Sequence, residues 1–113
     1  GNQTRVSNIA INGGLKHAYH AYIDHVKKHF DGREEPTLPL LELTPRQVFF
    51  VSFAVTYCAV ATPEKRRSRL LYDSSAPPKY RVLGALANSE DFAREFKCEK
   101  GRPMNPAEKC SLL

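Results

Sequence analysis

Apolar residues recur at helical spacing along the first third of the chain: Ile11, Leu15, Ala18, Tyr19, Tyr22, Ile23, Val26 and Phe30 share one face at i, i+3, i+4 intervals. This pattern predicts a helix over about residues 7–31, with Ser7 suited to its N-cap and Gly32, after Asp31, to its C-cap. Gly13 and Gly14 lie inside it. Each costs up to about 1 kcal/mol relative to alanine, so the pair implies the close approach of another backbone. Residues 33–43 are a proline-containing connection.

A second helix, over about 45–61, starts with Thr44 as N-cap, Pro45 at the first helical position and Gln47 completing a capping box. Its body, Val48 to Val55, is apolar nearly all round, which predicts burial on most sides. Such a helix needs more covering surface than 113 residues provide, a first sign of a missing partner. Thr62-Pro63-Glu64 repeats the cap-then-proline signature and opens a short basic helix over 63–72. Asp73 to Pro78 reads as a loop, because Ser and Asp favour turns and two prolines oppose a helix. Tyr80 to Leu86 is expected to be extended or irregular. A last helix, over about 89–97, places Phe92 and Phe96 on one face. The tail from Cys98, with Pro103 and Pro106, is expected to be irregular and held by disulfides. The expected fold class is mainly α, in one small domain at most.

Composition narrows the class. With 42% hydrophobic and 26% charged residues and no low-complexity tract, a disordered segment is excluded. Much of the +5 net charge sits in Lys65, Arg66, Arg67 and Arg69. Such a run can bind nucleic acid or acidic lipid, but it more often forms the solvated face of a helix. No aromatic residues interleave with it as a stacking platform requires, so no nucleic-acid partner is expected. The longest apolar stretch, residues 48–61, falls short of the roughly 20 residues a membrane span needs. The chain opens on Gly1 rather than Met, so a processed or partial chain is expected. Three cysteines, Cys58, Cys98 and Cys110, cannot all pair with one another. Together with the sequon at Asn2, which makes Asn2 a candidate glycosylation site, they point to an oxidising compartment.

Candidate chemistry is sparse. His25 and His29 have the i, i+4 spacing of a zinc-binding HExxH, but Val26 cannot act as the general base, and Lys27 and Lys28 would oppose a dication. They read as boundary histidines on an amphipathic helix. No nucleophile motif and no glycine-rich phosphate loop is present.

Three longer stretches carry a family pattern. Asn8-Ile9-Ala10-Ile11-Asn12-Gly13-Gly14-Leu15-Lys16-His17-Ala18-Tyr19 resembles the ENIADNGGLxxAY helix of the neprilysin and endothelin-converting-enzyme family of zinc metallopeptidases. Residues 43–54, from Leu43-Thr44-Pro45 to Ser52-Phe53-Ala54, resemble its LTxxQLFFxxFA helix. Pro77-Pro78-Lys79-Tyr80-Arg81-Val82-Leu83-Gly84 and the segment from Asn88 to Cys110 are similar to its C-terminus. The resemblance implies the C-terminal helical portion of a zincin-like peptidase domain that hydrolyses extracellular peptides. It also implies an upstream half that carries HExxH and pairs with Cys58, Cys98 and Cys110. The implied location is extracellular or cell-surface, with membrane contact only through an upstream N-terminal anchor.

The departures from the family pattern bear on activity. Ser7 stands where the family has a zinc-ligating glutamate, Ile11 where an aspartate orients a ligand histidine, and Ser75 where a histidine stabilises the tetrahedral intermediate. A neutral hydroxyl is a poor zinc ligand, an alkyl group accepts no hydrogen bond, and a serine supplies no imidazolium charge. Arg81 matches the family's substrate-binding arginine. Zinc is the family's cofactor, and none is expected for this chain alone. The reading that follows is an inactive peptidase segment. The alternative is a pseudoenzyme that binds peptide or a partner subunit without cutting.

Overall fold

In a computed structural model, which describes residues 2–110, a single 3-10 turn (Asn2–Thr4) leads into α1 (Arg5–Phe30). Four shorter helices follow: α2 (Pro45–Val55), α3 (Pro63–Tyr72), α4 (Pro78–Asn88) and α5 (Glu90–Glu95). The fold is mainly α. Among the described residues the only extended pairing is an isolated bridge between Arg102 and Asn105.

The helix ends follow from local chemistry, and several differ from expectation. α1 begins at Arg5, so Ser7 lies inside its first turn and is not the N-cap. The 3-10 turn feeds the helix directly, and Thr4 Oγ1 accepts from Asn8 Nδ2 at 3.3 Å. At the other end Asp31 caps α1 in the left-handed region (φ 52°), with Gly32 following at φ 75°. α2 keeps its predicted start, with the Thr44 and Gln47 side chains each bonding the other's backbone N–H at 3.2 and 3.0 Å. It stops at Val55, not residue 61, because the Thr56 hydroxyl turns back onto the Phe53 carbonyl at 2.7 Å. Tyr57 and Cys58 then close tight i→i−3 bonds that end the ladder.

The largest correction is α4, which makes residues 78–88 helical where irregular chain was expected. Pro78 occupies the first helical position, where its missing N–H has no partner to lose, so the prolines start a helix rather than block one. Val82, Ala85 and Leu86 then follow at helical spacing and turn inward.

The core gathers Leu15 and Tyr19 of α1, Phe50 of α2, Ala85 and Leu86 of α4, and Phe92 of α5. Phe50 stacks on Tyr19 at 4.9 Å between ring centroids and meets Phe92 edge-on at 5.6 Å. Phe92 and Phe96 lie 4.7 Å apart on the same face of the chain, as predicted. α2 is not buried on most sides: Phe50 alone is buried, while Val51 and Val55 are 40% and 64% exposed. The described chain covers one face of this helix and leaves the other open. The paired glycines also depart from expectation at Gly14, where nothing stands within 4 Å of a Cβ position, although Gly13 is buried.

The described residues are also spread out. Their Cα radius of gyration is 15.9 Å, against about 13 Å for a self-contained domain of this length.

Candidate functional site

The N-terminal half of α1 forms one wall of an open cleft of about 360 Å³. Ser7, Ile11 and Gly14 come from that wall, Phe49 and Phe53 from α2, and Tyr57 and Arg81 from beyond. Helical spacing explains the α1 set, since residues 7, 11 and 14 lie at i, i+4 and i+7. The structure therefore brings Ser7, Ile11 and Arg81 together.

Arg81 is fixed from two sides. Its Nε donates to the Ala76 carbonyl at 2.6 Å, and its guanidinium lies over the Tyr57 ring, 5.8 Å from the centroid. No carboxylate among the described residues pairs with it. The Ala76 bond ties Arg81 to the loop that carries Ser75. That loop is folded by Asp73, whose Oδ1 accepts from the Ser75 N–H at 3.0 Å. Ser75 is half-buried and does not line the cleft.

The electrostatics of the cleft follow from its lining. Among the described residues it holds no carboxylate, imidazole or thiol, and its one formal charge is the Arg81 cation. A zinc ion needs anionic or imidazole donors, and these residues offer a hydroxyl and an alkyl chain. The lining does not fit zinc. No group of three His, Cys, Asp or Glu side chains gathers elsewhere among the described residues. His25 and His29 are exposed, with ring centroids 4.4 Å apart. Cys58 and Cys110 are exposed and Cys98 half-buried, all three as free thiols. Asn2 is exposed at the head of the 3-10 turn.

A second polar cluster buttresses the core behind the cleft. Tyr19 Oη donates to Glu95 Oε1 at 2.7 Å, and Arg94 bridges Glu95 and Asp91 at 3.3 and 2.6 Å. Burial first, and the Glu95 carboxylate second, push the Tyr19 hydroxyl up to about 12. The hydrogen bond to Asp91 leads in raising the Arg94 guanidinium above its usual range. Burial, then Glu35, raises Tyr22. At the far end Asn88 clamps the tail: its Oδ1 accepts from the Cys110 N–H at 2.7 Å, and its Nδ2 donates to the Cys110 carbonyl and to Asn12. Tyr57 carries no signal in the sequence, because it sits in no periodic pattern and meets Arg81 over long range, and the motif that includes Asn88 does not announce its clamp on the tail.

The sequence matches the profile of peptidase family M13 over residues 1–112. The chain belongs to this family. Over 112 residues, 99% of its length, it is 49% identical to endothelin-converting enzyme 1 of Cavia porcellus and 46% identical to the Homo sapiens protein of that name. An endothelin-converting enzyme homolog of Locusta migratoria is 46% identical over the same length. The chain spans 14–15% of the length of these curated relatives. In this M13 segment the cleft lining is neutral apart from one arginine. No helix among the described residues is long and apolar enough to cross a membrane.

Proposed function

We propose that this chain is a wall of an M13-type peptidase domain that holds peptide or a partner subunit without hydrolysing it. The observation that carries this reading is the cleft lining: Ser7 and Ile11 bring no carboxylate to it, and Arg81 is its one charge. Arg81 offers its remaining guanidinium donors to a peptide carbonyl or carboxylate, and the Ala76 and Tyr57 contacts pre-orient it. Ser75 can donate one hydrogen bond but brings no positive charge to a developing oxyanion.

The domain is completed, on this reading, by an upstream half that covers the exposed side of α2 and pairs with Cys58, Cys98 and Cys110. The open α2 face and the large radius of gyration support such a partner. We place the protein outside the cell or on its surface, with a glycan on Asn2 and any membrane anchor upstream. An intact zinc peptidase is the second reading, and family membership favours it. The two separate on one experiment with the protein expressed from its complete coding sequence. Calorimetry with a panel of short peptides is paired with chromatographic detection of products. Binding that Arg81→Met weakens, with no cleavage, is expected. Zinc-dependent turnover would sink the proposal.

A further inference from the structure

Helix α3 presents its basic residues to solvent. Lys65, Arg66 and Arg67 are exposed and Arg69 is half-buried. Among the described residues no carboxylate pairs with any of them. At about 100° per residue, Lys65, Arg66 and Arg69 fall within an arc of roughly 100°. Lys65 and Arg69 are i, i+4 neighbours of like charge, a destabilising pair. Lys65 and Arg66 also lie near the positive end of the helix dipole, where cations are disfavoured. The acidic residue of that turn, Glu64, makes no ion pair with them, although it is ionised and suits the helix N-terminus. Its carboxyl is held low first by its own backbone N–H and then by Thr62. The helix is held instead by its cap, with Thr62 Oγ1 accepting from Lys65 N–H at 3.3 Å. The result is a folded array of cations with no ion-pair partner among the described residues.

We propose that this face binds a linear sulfated polysaccharide. Sulfate groups match the guanidinium fork as phosphates do, and a chain carrying them repeatedly can meet several cations at once. Two other polyanions fit less well. Single-stranded nucleic acid requires successive stacking surfaces, and the arc has only Tyr72 at its edge. Stable insertion into a lipid surface requires a continuous apolar face, but Leu70 and Leu71 lie about 100° apart with Arg67 between them. The inference rests on the extracellular placement proposed above, and on no part of the cleft.

The test uses the protein from its complete coding sequence, with immobilised heparin as the probe. Lys65→Gln/Arg66→Gln/Arg69→Gln is expected to weaken binding at least tenfold and to flatten its salt dependence. Arg66→Lys/Arg69→Lys, which keeps the charge, should lose far less. Lys27→Gln/Lys28→Gln/Lys100→Gln, which removes the same charge elsewhere, should lose under twofold. Circular dichroism checks that each variant is folded. Equal losses in the first and third variants would overturn the proposal. So would unchanged binding after desulfation of the probe, or tighter binding to an oligonucleotide or to phosphatidylserine vesicles. An exported protein with a glycan on Asn2 that ignores heparin overturns this inference alone. A protein that stays inside the cell overturns the placement, and this partner with it.

Discussion

Replacing Tyr19 with phenylalanine removes one oxygen from one of the two best-buried rings among the described residues. Tyr19 is 1% exposed, and its ring would remain stacked on Phe50 at 4.9 Å and edge-on to Phe49 at 5.3 Å. What is lost is the 2.7 Å hydrogen bond to Glu95. A hydrogen bond to a charged group contributes about 1.5–3 kcal/mol. Glu95 would keep Arg94 at 3.3 Å and Arg46 at 3.8 Å, so its carboxylate is not left without a partner. The low end applies, about 1.5 kcal/mol. Urea unfolding of residues 1–113 with all three cysteines changed to serine would read this as a midpoint lower by roughly 1 M.

The effect should also depend on pH. In the unfolded chain the Tyr19 hydroxyl ionises near its ordinary 10.0, and in the fold only near 12. Its contribution is therefore complete below pH 10 and is lost as pH rises through 12. Tyr19→Phe lacks that loss, so the gap between the two proteins should narrow above pH 10. A deficit under about 0.5 kcal/mol at pH 7, or parallel stability curves to pH 12, would refute the role given to this bond.

Three further outcomes follow from packing and from the open surfaces. Phe50→Ala should cost about 3–5 kcal/mol, since the ring is 1% exposed and central to the aromatic cluster, and should leave the isolated chain largely unfolded by circular dichroism. Gly14→Ala should stabilise by up to about 1 kcal/mol, because the added methyl meets nothing within 4 Å; a lower urea midpoint would contradict this. Residues 1–113 with native cysteines should form disulfide-linked oligomers in air, because Cys58 and Cys110 are exposed; a monomer on non-reducing gels would count against the open thiols.

The chain's own pattern predicted the elements that rest on local rules. The Thr44 and Thr62 caps and the α1 stripe depend on residues three or four apart, and the structure shows both caps and the stripe from Ile11 to Val26, with Ala18 and Phe30 exposed instead. α4 went unread although Pro78 obeys the same first-position rule as Pro45 and Pro63. The difference is the residue in front: Pro77 has no side-chain cap to announce a helix, where Thr44 and Thr62 do. The apolar run to residue 61 predicts a longer α2 than forms, because the Thr56 hydroxyl competes for the Phe53 carbonyl. The Tyr19–Glu95 bond joins residues 76 apart, beyond any local pattern. At the cleft, the motif resemblance pointed to Ser7, Ile11 and Arg81, and packing adds Tyr57 as the ring that holds Arg81. The separation of Ser75 from that lining depends on how the loop from Asp73 to Pro77 folds, which spacing alone does not specify.

The proposed function requires that the cleft lined by Ser7, Ile11 and Arg81 hold no zinc. Zinc content of the protein expressed from its complete coding sequence, measured by mass spectrometry after dialysis against metal-free buffer, tests it most directly. Well under one zinc per molecule is expected, with a clear rise on Ser7→Glu/Ile11→Asp. About one tightly held zinc per molecule in the unaltered protein would contradict it.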